Sequence, residues 1–364
     1  MPASDTWKII IGVIKAKTNT KFVEVKRALA QATRRLVGLS PACKTELSPS
    51  SSASSASGSS MTADHLIDAR QIDAYLKCAY GKILSSPMVK IPKPILTKWM
   101  IDDVEFARQR LAGQHPCLIA RWKDPLQQLP FTLPSDTPES VAQAIAAANK
   151  RNQLFICDYE ALDLSRDMIK EGAFLSAPIA LFEVDSVSKQ LMPLGIMFRK
   201  QREVPLFITP RDKPILWFLA KLHVQVADNH YQQFYHHLPF CHMIAEPVAL
   251  AIKYTLPDSH PIGRLLRPHF RGTFEINWLA RVLLISKGGI IDEVMASGRV
   301  GAMALSAKAF NNWNFKARAL NTDLVNRGVD DRKVGNSILL TDLLIELTTL
   351  KCSYFHTIRI VTVV

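Results

Sequence analysis

ILWFLAKLHVQVADNHYQQFYHHLPFCH, residues 215–242, is the stretch from which the rest of the chain is best read. Residues 215–227 are hydrophobic almost all the way round a 3.6-residue repeat, which predicts a helix buried in the middle of a large domain. Histidine then accumulates. Seven of the ten histidines (His223, His230, His236, His237, His242, His260 and His269) fall within 47 residues. Neutral imidazole is the commonest transition-metal ligand, so this density raises a metal-site hypothesis. For any one histidine, a hydrogen-bonded structural role is the commoner outcome, and spacing has to decide. No HExxH is present, which removes the zinc geometry of a single straight helix face. His237 and His242 are five apart, about 140° on an ideal α-helix, so they can share a metal only if a wide π-type turn intervenes.

Outward from this centre, 364 residues with 48% hydrophobic and 21% charged side chains suffice for one large domain or two small ones. A net charge of +13 and a pI near 9.5 favour acidic partners: an anionic membrane surface, a carboxylate substrate or nucleic acid. Residues 1–60 carry nine Lys/Arg against three Asp/Glu, leaving a surplus of only seven for the other 304 residues. The excess therefore sits in a terminal segment and not along a groove, which argues against nucleic acid. Residues 48–60 (SPSSSASSASGSS) are nearly pure Ser/Ala/Gly and read as a flexible linker. The basic stretch before it reads either as an organelle-targeting segment, plastid included, or as a solvated tail, with Met61 an alternative start. Cys43, Cys78, Cys117, Cys157, Cys241 and Cys352 show no CxxC spacing, which suits reduced thiols in a cytoplasmic protein and excludes a zinc ribbon. The most apolar run, residues 214–222, is interrupted by Lys221 and is far short of the roughly 20 residues that cross a bilayer.

Between these landmarks, Pro92 and Pro94 mark an extended lead-in. From about Asp102 the pattern turns helical, with Val104, Phe106, Leu111 and Ile119 interleaved with charges. Residues 154–157 and 179–184 are short apolar runs suited to strands or buried connectors. Gly288-Gly289 is a lone pair that reads as a turn after a helix, since no phosphate-binding glycine pattern surrounds it.

Trp217, Leu219-Ala220-Lys221, His223-Val224, Val226-Ala227-Asp228, His237-Leu238, His242 and Glu246-Pro247 together resemble the long central helices of the lipoxygenase family. Ser259-His260-Pro261-Ile262-Gly263-Arg264-Leu265-Leu266-Arg267-Pro268-His269 is similar to a second signature of that family, continuing through Arg271, Ile276-Asn277, Ala280-Arg281 and Gly288-Gly289-Ile290. Weaker echoes lie upstream (Trp99-Met100, Glu105-Phe106-Ala107-Arg108-Gln109) and downstream (Trp313, Phe315, Asp323-Leu324, Arg327-Gly328-Val329). The resemblance spans about residues 90–330, the first half or so of the family's catalytic domain.

This resemblance implies a mainly α-helical catalytic fragment built round long buried central helices, with a few short strands. The expected division is a basic segment (1–47), the linker (48–60), the partial catalytic domain (61–330) and a divergent tail (331–364), with no recognisable N-terminal β-sandwich. The implied activity is dioxygenation of polyunsaturated fatty acids to hydroperoxides at a non-haem iron, with fatty acid and O2 as partners, an anionic membrane surface as a further one, and a monomeric state. In the family, two central histidines, later helix residues and a C-terminal carboxylate hold the iron. His237 matches the second central histidine; the position of the first is Gln232. His242 matches a following histidine that is a neighbour and not a ligand, and His230 lies two residues from the expected place. Pro239 is expected to kink the turn that aims His237. Residues 339–350 and the β-like end 358–364 match nothing in the family, so the later ligands are missing. Ala280 corresponds to a site that goes with S stereochemistry and Leu284 to a leucine near the substrate, although an Ala and a Leu four apart on a helix are also ordinary core residues. The resemblance thus implies an enzyme truncated or impaired in this chain, the alternatives being a catalytically dead relative or a basic module that binds lipid or membrane.

Overall fold

In a computed structural model, residues 98–123, 128–198 and 206–329 are described. The expectations for the basic segment, the linker, Pro92, Pro94 and the divergent tail lie outside these residues.

The first element, α1 (Asp103–Ala112), starts where the sequence places it. The Asp102 carboxylate accepts from the backbone N–H of Val104 at 2.9 Å and of Glu105 at 3.2 Å, and Asp103 and Glu105 add negative charge to the first turn. Ile119 falls beyond the helix, just before the two-residue strand β1 (Ala120–Arg121). Helix α2 (Glu139–Lys150) then leads into β2 (Leu154–Asp158), β3 (Pro178–Val184), β4 (Leu191–Phe198) and β5 (Leu206–Ile208). These form one antiparallel sheet in the order β1-β2-β3-β4-β5. Two of the strands coincide with the apolar runs at 154–157 and 179–184, but the sheet is larger than a mainly helical reading implies.

Its runs are continuously apolar because both faces are covered. Phe155, Cys157, Ala180, Phe182 and Ile196 join a core with Phe106 and Trp217, whereas Leu154, Ile156, Ile179, Leu181 and Met197 pack with Val141, Ile145 and Ala148 of α2. Leu181 pairs with Gly195 and Phe182 with Pro193, so Leu194 is the extra residue of a β-bulge, a place where a strand tolerates proline. Gly195 itself is required by close approach: a Cβ there would lie 2.3 Å from the Phe207 ring.

Across the sheet lies α3 (Pro214–His230), with Pro214 in its first turn. Trp217 Nε1 donates to Asp103 Oδ1 at 2.8 Å, and the buried Lys221 ammonium donates to Asp103 Oδ1 at 2.9 Å and to the Met100 carbonyl at 2.8 Å. A second buried tie runs through Asp228, which accepts from the Tyr159 hydroxyl at 2.8 Å and faces Arg110 at 3.7 Å. Burial disfavours the guanidinium charge, yet Asp228 beside it raises the Arg110 pKa above its ordinary value. The all-round burial expected of this helix is not met. Ile215, Leu216, Leu219 and Val226 are 37–42% exposed, because the sheet and α1 cover only the opposite stripe.

At Tyr231 the helix widens into a 13-residue π-helix, Tyr231–Met243. Pro239 sits inside it without ending it, contrary to the expected disruption of that turn. In an i→i+5 ladder the missing N–H of Pro239 would have served the carbonyl of Phe234. The buried Ser306 hydroxyl lies 2.7 Å from that carbonyl and 2.9 Å from its own helix's Ala302 carbonyl, so the orphaned acceptor is served from elsewhere. On the other side of the proline, Ile244 N–H donates to the Pro239 carbonyl at 2.9 Å, closing a five-residue turn.

Short helices follow: α4 (Ala245–Thr255), α5 (Pro261–Leu266), α6 (Thr273–Leu279), which passes into a second π-type turn (Ala280–Leu284), and α7 (Ile290–Val294). Gly288, at φ +66°, makes the turn before α7, as its pairing with Gly289 predicts. Helix α8 (Gly298–Asn311) packs along the π-helix and carries Ser306; α9 (Leu320–Arg327) completes the described chain. Among the described residues no helix is long and apolar enough to cross a membrane.

Candidate functional site

The π-helix decides which histidines meet. A repeat of i→i+5 bonds stacks residues five apart that an α-helix would turn away from each other. His237 and His242 accordingly converge, with Nε2 to Nε2 at 3.1 Å and ring centroids 4.7 Å apart. Both rings are half-buried.

Each ring is held from behind. His242 Nδ1 lies 2.6 Å from Asn277 Oδ1, and His237 Nδ1 lies 3.1 Å from Gln233 Oε1. The orientation of Asn277 is fixed by chemistry. Its amide nitrogen is 2.6 Å from Glu246 Oε2, which as a carboxylate can only accept. The amide oxygen must then face His242, whose Nδ1 carries the proton and whose Nε2 presents a lone pair toward His237. Arg281 pairs with the same Glu246 oxygen and holds it in place. Burial, followed by the neighbouring His242 and His236, lowers the His237 pKa to about 3; burial also lowers His242, against the opposing pull of Asn277 and Glu246. Both imidazoles are thus neutral near pH 7, the form that ligates metals.

The other predicted positions fall elsewhere. The Gln232 amide oxygen accepts from Gln114 Nε2 at 3.4 Å, and Gln114 also donates to Asn229 at 2.6 Å. Gln232 therefore makes a polar contact with the loop after α1, and the structure brings His242, not Gln232, to His237. His230 is buried, with Nδ1 3.0 Å from the Val226 carbonyl and its ring against Phe234. His236 packs edge-on to His115, and His223 lies 3.2 Å from the Ser176 hydroxyl. Ala280 and Leu284 are half-buried on the π-type turn that directly follows the helix carrying Asn277. Sequence reading singled out neither Asn277 nor Gln233 as site residues. Asn277 stood inside the recognised Ile276-Asn277 pair, but nothing in one sequence shows that its side chain lies under His242.

A redox-active iron needs several fixed donors. Among the described residues no three of His, Cys, Asp and Glu converge on one point. Two imidazoles fit part of a coordination shell and do not by themselves make up such an iron centre.

A family model described as Lipoxygenase matches residues 50–346. The polyunsaturated fatty acid lipoxygenase ALOX12 of Mus musculus is 35% identical over 236 residues, 64% of this chain and 35% of that protein. The seed linoleate 9S-lipoxygenase of Glycine max is 31% identical, over 68% of this chain and 31% of its own length. Among solved structures, a calcium-dependent 11R-lipoxygenase superposes with a TM-score of 0.58 at 31% identity, covering 67% of this chain and 36% of that one. Coral 8R-lipoxygenase gives 0.59 at 26% identity, covering 69% and 36%. The chain thus spans about a third of the length of these relatives.

Proposed function

We propose, given that this chain belongs to the lipoxygenase family, that its chemistry is directed at polyunsaturated fatty acids and O2 and that its own turnover is impaired. The direction of the chemistry rests on the family match and on relatives whose names specify linoleate or polyunsaturated fatty acid. That reaction removes hydrogen from a CH2 between two double bonds and adds O2 to give a hydroperoxide. The impairment rests on one observation: among the described residues no three of His, Cys, Asp and Glu converge on one point, the His237–His242 pair included. A catalyst short of ligands cannot hold its metal against water or set its redox potential.

Purified chain supplied with Fe2+, O2 and linoleate should generate no conjugated-diene absorbance above a buffer control containing the same iron. Diene formation that saturates with linoleate and scales with protein would overturn the reading of impairment.

A further inference from the structure

We infer that residues 339–350 of this chain dock on the exposed stripe of α3 and complete the burial of that helix. The inference stands apart from turnover and from any metal.

The uncovered stripe is regular. Ile215, Leu219, Leu222 and Val226 follow one another at intervals of four, three and four, so they lie along one face of α3, with Leu216 beside them. Leu222 is partly buried against the core, and Ile215, Leu216, Leu219 and Val226 are exposed. A row of aliphatic side chains open to water along one helix is a seam without its partner among the described residues.

A complementary row stands later in the sequence. Leu340, Leu343, Leu347 and Leu350 recur at intervals of three, four and three. At about 100° per residue, these four together with Leu339 and Leu344 fill an arc of about 140°. Thr341, Asp342, Glu346, Thr348 and Thr349 all fall outside that arc. Such a pattern predicts an amphipathic helix whose leucine face requires burial. The lengths agree: at about 1.5 Å per residue, Ile215 to Val226 rises about 17 Å and Leu340 to Leu350 about 15 Å.

Reach and charge select this segment over a second copy. Val329, the last described residue, is buried in the same apolar cluster as Trp217, Ala220 and Val224 of α3. The connection 330–338 extends up to about 30 Å, the diameter of a small domain, so the leucine row can arrive at the open face of α3. A tethered partner meets that face at an effective concentration on the order of millimolar, which a second copy in dilute solution does not. Residues 334–350 contain Asp342 and Glu346 and no Lys or Arg, on a chain of net charge +13, whereas a second copy would bring +13 against +13.

The test is photo-cross-linking in the full 364-residue chain with p-benzoylphenylalanine in place of Leu219, and separately of Val226, mixed with isotope-labelled unsubstituted chain. Irradiation followed by trypsin should join the probe to the peptide 334–351, delimited by Lys333 and Lys351, in its unlabelled form. The same probe at Val187, in the exposed turn between β3 and β4, should give no such product. Leu343→Asp combined with Leu347→Asp should lower the yield about tenfold or more, and Leu343→Ile combined with Leu347→Ile should retain it, since only burial of an apolar side chain is asked of these positions. Each probe alters one exposed side chain, so the measurement stands even if the aspartate variant does not fold. Capture of the labelled peptide would assign the stripe to a second copy, and capture of a different peptide of the same chain would assign it to that peptide. Either result, no peptide product at both probe positions, or an undiminished yield in a folded aspartate variant would overturn the inference.

Discussion

Replacing Asp228 by leucine should be among the most damaging single changes available in the fold, and replacing Arg110 at the same time should undo part of the damage. Asp228 on α3 and Arg110 on α1 are 3% and 2% exposed, with the Tyr159 hydroxyl bridging them: it donates to Asp228 at 2.8 Å and accepts from Arg110 at 3.3 Å. Removing one member of a buried ion pair strands the other charge in low dielectric, at about 3–5 kcal/mol. A whole domain is stable by only about 5–15 kcal/mol, so Asp228→Leu should lower the urea midpoint severely. Tyr159→Phe, which takes away one hydrogen bond to a charged group, should cost about 1.5–3 kcal/mol. Arg110→Met should cost about as much as Asp228→Leu, but the double variant replaces two buried charges with apolar groups, a change that is often close to neutral. The double-mutant cycle, read by urea denaturation at pH 7, should therefore give a coupling energy of about 3 kcal/mol or more. By contrast Glu105→Gln, which breaks the exposed Arg108 pair, should move stability by no more than about 1 kcal/mol. If the two core changes add within about 0.5 kcal/mol, the charges are not sharing one dry environment and the reasoning fails.

Two further outcomes follow from the same structure. Ser306→Ala should cost about 1–3 kcal/mol, because it leaves the buried Phe234 carbonyl without the hydroxyl that replaces the N–H of Pro239; the control is Ser306→Ala combined with Pro239→Ala, and equal destabilisation in both backgrounds would refute the link. Burial lowers His230 and His236 to about 4 and His237 to about 3, so the unfolded chain takes up protons first as pH falls below about 6.5. The stability these groups contribute is fully present above that pH and should be lost toward pH 4, at about 1.4 kcal/mol per pH unit for the buried His230 alone; a urea midpoint unchanged between pH 7 and pH 5 would contradict it.

Much of the scaffold was legible because local chemistry and tertiary structure agree there. Asp102 caps the helix it was placed before, and two of the apolar runs are strands. The extent of the sheet was not legible, since β4 contains Pro193 and Gly195, residues that weigh against a strand until the bulge and the Phe207 ring that accommodate them are seen. The uniform hydrophobicity of α3 was read as uniform burial. Periodicity reports what a helix is able to bury; Trp217, Phe218, Ala220, Val224 and Ala227 are buried, while Ile215, Leu216, Leu219 and Val226 stay exposed.

The site was legible in composition and not in register. The histidine cluster and the need for a π-type turn are both apparent in one dimension. Which residues the turn would join depends on where the helix widens, which is at Tyr231, and on the accommodation of Pro239 inside the wide segment. In a strict α-helix His237 and His242 would point about 140° apart, and Pro239 would break the ladder between them. In the wider helix the proline's missing donor is compensated from α8 by Ser306, 72 residues along the chain from the Phe234 carbonyl it serves, and the five-residue spacing becomes a shared point. The residue that counted against a competent turn is thus accommodated by the same backbone geometry that brings the two imidazoles together. Any substitution that returns residues 231–243 to α-helical register should separate the rings whatever it does to their identity.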